Sequence, residues 1–241
     1  MDILFLILLL IIAYLYSTVG HGGASGYLAI MVLFGISPAC IRPSAFVLNL
    51  FVSAIAFYSY YKAGYFRWKI LLPFVIASVP LAYIGAGINV SPGLYKKILG
   101  VCLVIAVARM FINPKNIHEA INSPSLIICL LSGAIIGFLS GIIGIGGGII
   151  LSPLLLLAGW ANIKETAAIS AAFIFLNSTA GLFALWNTGI SLSPQIILWV
   201  AVVLTGGIIG SYSGSFRISF ANLRYILAVV LIVACVKLFI V

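Results

Sequence analysis

Acidic residues are almost absent from this sequence, which has only Asp2, Glu119 and Glu165 among its 241 residues. Charged residues of either sign make up 6% of the chain, whereas a soluble globular domain carries roughly 25%. A chain this poor in charge cannot cover a water-facing surface, and its mean hydropathy is +1.34. We therefore predict an all-α, polytopic membrane protein with about eight to ten transmembrane segments.

The residues needed for an enzyme or a metal site are also scarce. Two histidines and three acidic residues give no paired carboxylates. The four cysteines are scattered, with no CxxC pair and no neighbouring histidine. We accordingly predict a protein that is not an enzyme, with no catalytic residues, no metal and no cofactor.

Basic residues outnumber acidic ones, and the formal charge is +9. Basic residues in short loops orient membrane proteins, and a positive field can also attract an anionic substrate. Both explanations stay open. The expected partners are a lipid bilayer and a small anionic substrate, with no nucleic acid, and a homo-oligomer is left open. Arg42 and Lys164 occupy corresponding positions in the two halves of the sequence. Each is either an anchor at the membrane–water interface or part of the entrance to the substrate pathway.

Two glycine-rich stretches interrupt apolar segments where a membrane helix should continue. The first spans residues 20–26 and the second residues 144–148, so each half of the chain carries one copy. Glycine inside a helix costs about 1 kcal/mol relative to alanine. Irregular backbone at membrane depth is tolerated only where it is buried in protein or lines a cavity. Paired broken helices therefore indicate a transporter's substrate site.

These stretches can offer an anion the free backbone N–H groups at the start of a short helix. The competing explanation is tight helix packing, which accounts for the glycines at four-residue spacing in residues 133–141 and 206–214. His21, inside the first stretch, either binds an anion or relays protons, or it is neutral and bonded to a freed carbonyl. The candidate substrate-binding residues are Gly20, His21, Gly22, Gly23, Ser25, Asn49, Gly144, Gly146, Gly147, Gly148, Asn177, Ser178 and Thr179.

The two halves resemble each other at a nearly constant offset, which indicates an internal duplication. We predict a first transmembrane repeat at residues 1–112, a connecting loop at 113–123 and a second repeat at 124–241. A glycine break within one crossing gives parallel repeats, whereas a break at the tip of a helical hairpin gives inverted ones. The inverted arrangement places more basic residues on the inside and is favoured.

Residues 17–38 and 140–161, with the segments that follow them, resemble the sulfite exporter TauE/SafE family. The more specific part is the motif in residues 141–148 with Pro153 after it, and the first copy departs from it by having His21, Ala24 and Ser25 in the cluster. The resemblance implies a bacterial or archaeal inner-membrane carrier of sulfite, thiosulfate or organosulfonates. We expect a secondary transporter, an exporter, that alternates access around the two breaks. An anion channel of similar architecture and a non-transporting membrane subunit are the alternatives.

Overall fold

The computed structural model describes residues 3–88 and 124–219, with residues 221–223, 225, 226 and 229 beyond them. These residues form eight α-helices, and a π-helical turn at Ser213–Arg217 extends the last of them. The helices are α1 (Ile3–Thr18), α2 (Ala24–Leu33), α3 (Pro38–Lys62), α4 (Trp68–Ala86), α5 (Leu126–Ile143), α6 (Gly148–Leu157), α7 (Ile163–Thr188) and α8 (Ile196–Tyr212).

Five helices, α3, α4, α5, α7 and α8, are long and apolar enough to cross a membrane. Helices α1, α2 and α6 are apolar but shorter. Large apolar side chains such as Ile127, Ile197 and Leu131 are exposed on the outer surface, which suits contact with lipid rather than water. The predicted all-α, polytopic membrane fold is confirmed.

Two of the helix starts follow from the sequence around them. Helix α3 begins at Pro38, because proline is well suited to the first helical turn, where its missing N–H has no acceptor to lose. Helix α2 begins at Ala24, so the last residues of the first glycine stretch are helical. The end of the predicted first repeat, from residue 89 to 112, the connecting loop at 113–123 and most of the second repeat after residue 219 lie outside the described residues.

Helix α2 folds back along α1, and the first glycine stretch lies at the turn between them. The rings of Phe5, near the start of α1, and Phe34, just after α2, have centroids 5.2 Å apart. Towards the turn, the hydroxyl groups of Tyr16 and Ser25 are 2.8 Å apart. The two helices therefore run antiparallel as a helical hairpin.

Two pairs of parallel helices pack through glycine. On α5, Gly133, Gly137 and Gly141 lie against the backbone of α4 at Phe74, Ser78 and Ala82 in that order. Gly206 and Gly210 on α8, and Gly214 in the π-helical turn that extends it, lie against α1 in the same way, at Leu10, Tyr14 and Thr18. The absence of a side chain lets the backbones approach closely. The packing explanation for these two glycine series is confirmed.

Helices α3 and α7, by contrast, run antiparallel through the middle of the molecule. Tyr60, near the end of α3, clusters with Ala167, near the start of α7. Phe46, near the start of α3, lies against Gly181, towards the end of α7. Helix α3 also packs on α8, and α7 on α4, so the contacts made by the first half are matched by those of the second.

A basic side chain near the start of each central helix holds the ends of other helices. The Nη2 of Arg42 on α3 donates to the carbonyl of Ala86 at 2.5 Å and to that of Gly141 at 2.8 Å. The Nζ of Lys164 on α7 donates to the carbonyl of Ser215 at 3.1 Å. Cations stabilise the carbonyl end of a helix, and both residues hold the structure together at its two ends.

Candidate functional site

The two glycine stretches meet between α3 and α7. A Cβ atom added to Gly22 would fall on the Oδ1 of Asn49. One added to Gly146 would lie 3.0 Å from the Nδ2 of Asn49 and 3.0 Å from the Oγ of Ser178. Both additions would also crowd Ile174. Asn49 on α3 is thus shared by the two stretches, and glycine lets their backbones approach it.

His21 joins the first glycine stretch to the second half of the chain. Its Nε2 lies 3.1 Å from the Oγ of Ser152 on α6, and that hydroxyl lies 2.7 Å from the Oγ of Ser170 on α7. The His21 ring also borders Gly148, whose added Cβ would lie 3.4 Å from the ring Cδ2. The histidine is fully buried, so these contacts hold the tips of the two stretches together.

The carboxamide of Asn49 has different partners at its two atoms. Its Oδ1 accepts a hydrogen bond of 3.0 Å from the backbone N–H of Ala24, the first residue of α2. Its Nδ2 lies 3.5 Å from the Oγ of Ser178, which is the outer limit of a hydrogen bond. The oxygen therefore caps α2, while the amino group is left with only a weak acceptor.

The amino terminus of α6 carries no side-chain cap. Gly146 and Gly147 have φ of 74° and 81°, a left-handed conformation that suits glycine. Within the part of the chain that the structure describes, the N–H groups of Gly148 and Ile149 have no hydrogen-bond acceptor. The buried hydroxyl of Ser140, a residue whose Cβ borders Gly147, is likewise without a partner there. Among the described residues, the amino terminus of α6 therefore presents backbone N–H donors that have no acceptor.

Other predicted residues are placed differently. The Oδ1 of Asn177 accepts a bond of 3.0 Å from the Oγ of Ser78 on α4. The side chain of Thr179 is exposed and donates to the carbonyl of Phe175 in its own helix. Ser25 is half-buried and pairs with Tyr16 beside the first stretch. The structure does not bring Thr179 to the residues around Asn49.

Three of the predicted glycines pack against residues at the edges of the site. Gly20 lies against the backbone of Ala167 on α7, and Gly23 lies against the ring of Tyr27. Gly144 lies against the stem of Arg42 on α3. These three glycines thus permit close packing at the edges of the site, whereas Gly22, Gly146 and Gly148 surround its centre.

The site is closed in this structure. His21, Asn49, Asn177 and Ser178 each have 0% of their surface exposed. Buried polar groups are expensive unless they are hydrogen-bonded, so these side chains depend on partners inside the protein. The uncapped amino terminus of α6, with N–H groups that have no acceptor among the described residues, has the chemistry of an anion-binding helix end.

Comparison with known proteins identifies the family. The family model of the sulfite exporter TauE/SafE matches residues 4–238, which is nearly the whole chain. The chain belongs to the TauE/SafE sulfite exporter family. No solved structure matches it.

Relatives of this TauE/SafE protein are named as membrane transporters. It is 39% identical over 235 residues to a probable membrane transporter protein of Sinorhizobium fredii, covering 95% of this chain and 94% of the relative. A probable membrane transporter protein of Methanocaldococcus jannaschii is 29% identical over 196 residues, with coverage of 76% and 73%. One of Bacillus subtilis is 24% identical over 259 residues, with coverage of 99% and 100%. These names agree with a multi-pass membrane transporter that is not an enzyme.

Sequence reasoning missed two serines of the TauE/SafE protein. Ser152 lies in α6, four residues after Gly148, and Ser170 lies in the apolar first half of α7. Both are fully buried. The available signal was a hydroxyl in an otherwise apolar stretch, which in membrane helices often serves only to tie helices together. Their contact with His21 could not be deduced without the fold.

Proposed function

We propose that this protein is a secondary transporter that exports a small sulfur-containing anion such as sulfite, thiosulfate or an organosulfonate. The observation that carries the proposal is the meeting of the two glycine stretches at Asn49, with uncapped backbone N–H groups at the start of α6. Backbone donors at a helix end bind anions without a buried cation. The substrate class and direction rest on the TauE/SafE family name.

We further propose that the two halves are inverted repeats, with residues 1–112 and 124–241 joined by residues 113–123. In inverted repeats, equivalent helices run in opposite directions. The antiparallel course of α3 and α7, the central helix of each half, supports this arrangement. The hairpin formed by α1 and α2 also supports it, because the break then lies at a tip rather than within a crossing.

Alternating access would proceed around a fixed central site. Asn49 and Ser178 lie on the two long central helices, while the glycine stretches lie between α1 and α2 and between α5 and α6. Opening one end would separate the contacts of Arg42, and opening the other would separate those of Lys164. The alternative of an anion channel requires a continuous path when open, and flux measurements separate it from a carrier.

Flux measured in proteoliposomes tests this function. We expect saturable efflux of sulfite, thiosulfate or a simple organosulfonate, accelerated by the same anion on the opposite side. Unitary currents without counter-transport would instead establish a channel. Absence of flux for every sulfur oxyanion and sulfonate would contradict transport and favour a non-transporting subunit.

A further inference from the structure

We infer that the anion binds at the amino terminus of α6 rather than equally between the two helix ends, and that the site selects singly charged anions. The inference rests on the proposed transport function and makes it more specific. Its basis is a difference between the amino termini of α2 and α6 in the acceptors available to their backbone N–H groups. Asn49 is the residue that creates this difference.

The amino terminus of α2 is already occupied by a protein acceptor. The Oδ1 of Asn49 accepts the N–H of Ala24 at 3.0 Å. A carboxamide oxygen in this position satisfies a helix-end donor and places partial negative charge against it. An anion at the same point would have to displace that oxygen and would be repelled by it.

The corresponding asparagine of the second half does not cap α6. Asn177 directs its Oδ1 to the hydroxyl of Ser78 on α4 instead. Within the described residues, the first-turn N–H groups of Gly148 and Ile149 consequently have no acceptor. The α6 end is therefore the one that can accept a ligand without losing an existing hydrogen bond.

Further donors surround this end of α6. The Nδ2 of Asn49 and the Oγ of Ser178 each lie 3.0 Å from the position of a Cβ on Gly146. Ser140 borders Gly147 through its Cβ, which would lie 3.3 Å from a Cβ on that glycine, and its fully buried hydroxyl has no partner among the described residues. An unsatisfied buried hydroxyl costs free energy, and a bound anion would remove that cost by accepting its hydrogen.

The backbone, carboxamide and hydroxyl donors named above are all neutral. Among the described lysine and arginine side chains, that of Arg42 lies close to the second glycine stretch: its stem borders Gly144, and its Nη2 donates to the carbonyls of Ala86 and Gly141. The ring of His21 borders Gly148, and its Nε2 is engaged with the hydroxyl of Ser152. A helix end supplies roughly half a positive charge. Such a site compensates a single negative charge far better than two, because the cost of burying charge without a counterion is large. The ligand class is a monoanion with a sulfonate-like or hydrogensulfite-like head.

The first experiment compares methanesulfonate with sulfate by calorimetry on the full-length protein in detergent. Both anions present a tetrahedral sulfur with oxygen atoms, but they differ in charge. We expect methanesulfonate to bind at least about ten-fold more tightly than sulfate, in line with the cost of an uncompensated charge. Equal or tighter binding of sulfate would overturn the selectivity.

The second experiment uses Asn49→Asp. Aspartate keeps an oxygen that can cap Ala24, but it replaces the Nδ2 donor by a negative charge facing the α6 end. We expect methanesulfonate affinity to fall more than about ten-fold, which corresponds to the loss of a hydrogen bond plus repulsion. Asn162→Asp, at the cap of α7 away from the site, is the matched control and should bind within about two-fold of wild type.

Ser140→Ala separates binding from folding if Asn49→Asp does not fold. Removing an unpartnered buried hydroxyl should leave the melting temperature unchanged or raise it. Methanesulfonate binding should weaken several-fold, since a donor to the anion is lost. Wild-type affinity in both Asn49→Asp and Ser140→Ala, with transport intact, would overturn this site while leaving the proposed function standing. Absence of both binding and flux in the wild-type protein would overturn both.

Discussion

At the scale of single residues, the contrast between Asn49 and Thr179 explains which polar side chains reach the site. Both lie in apolar spans and were predicted to bind substrate. Successive residues of an α-helix are rotated by about 100°, so consecutive Asn177, Ser178 and Thr179 cannot share one face. The sequence indicates that some residue of this run faces the site, but only the packing of α7 shows that Ser178 does.

Gly146 and Gly159 give a residue-scale test of the site because both have positive φ, at 74° and 66°. Alanine at either position incurs a similar backbone cost of about 1–2 kcal/mol. Only at Gly146 would the new Cβ crowd Ile174, at 2.7 Å, and the donors of Asn49 and Ser178. We expect Gly146→Ala to abolish methanesulfonate binding, measured by calorimetry.

Gly159→Ala is the control, since a Cβ there meets open space. Its backbone strain should lower the stability of the protein about as much as the backbone strain in Gly146→Ala does. Methanesulfonate binding should stay intact. If both variants bind as the wild-type protein does, the Gly146 backbone has no role in the site and the packing explanation of the second glycine stretch prevails.

At the scale of elements, the sequence predicts the helices well and their partners poorly. Long apolar runs and the glycine interruptions give the positions of α1 to α8. The glycines in residues 133–141 and 206–214 identify one face of α5 and one of α8 as close-packing surfaces. They do not say which helix lies opposite, because any apolar backbone of suitable shape can fill that place. That α4 and α1 are the partners emerges only from the fold.

The seam between α4 and α5 allows a direct test of element packing. A Cβ on Gly137 would overlap the carbonyl oxygen of Ser78 and lie 2.5 Å from its Cα. Neither backbone can yield without separating the helices, so Gly137→Ala should destabilise the protein by about 1–3 kcal/mol. The measurement is the melting temperature in detergent, which should fall by about 2–4 °C for each kcal/mol.

Gly207→Ala on α8 is the matched control for this seam. Its Cβ would meet the nearest side-chain atom, on Val52, at 3.4 Å, an ordinary contact. Alanine also has a higher helix propensity than glycine, so this variant should melt at or above the wild-type temperature. An equal loss of stability in both variants would show that the effect is not due to backbone contact.

At the scale of the whole molecule, two related pairings organise the chain. Helix α1 pairs with α8 and α4 pairs with α5, so each pair takes one helix from each proposed repeat. Helices α3 and α7 cross the centre in opposite directions. The sequence indicates the duplication through matched positions, but relative orientation depends on whether each glycine break is a tip or a kink, which composition does not encode.

Cysteine labelling tests the inverted arrangement in intact membranes. Tyr61, at the end of α3, and Asn187, at the end of α7, are both exposed and occupy equivalent places in the two halves. In a background with the four native cysteines replaced by alanine, Tyr61→Cys and Asn187→Cys should react with a membrane-impermeant maleimide from opposite sides. Labelling of both from the same side would establish parallel repeats.

The pairing of α1 with α8 also has a consequence for biogenesis. The hydroxyl of Ser17 donates to the carbonyl of Gly207 at 2.7 Å, across 190 positions of chain. During synthesis, α1 therefore enters the bilayer long before α8 exists. Until α8 is inserted, the face of α1 that packs against it contacts lipid or another protein. Contacts so distant in sequence close slowly. Assembly of the native fold consequently depends on insertion of α8, and a chain interrupted before that helix leaves the first hairpin without its support.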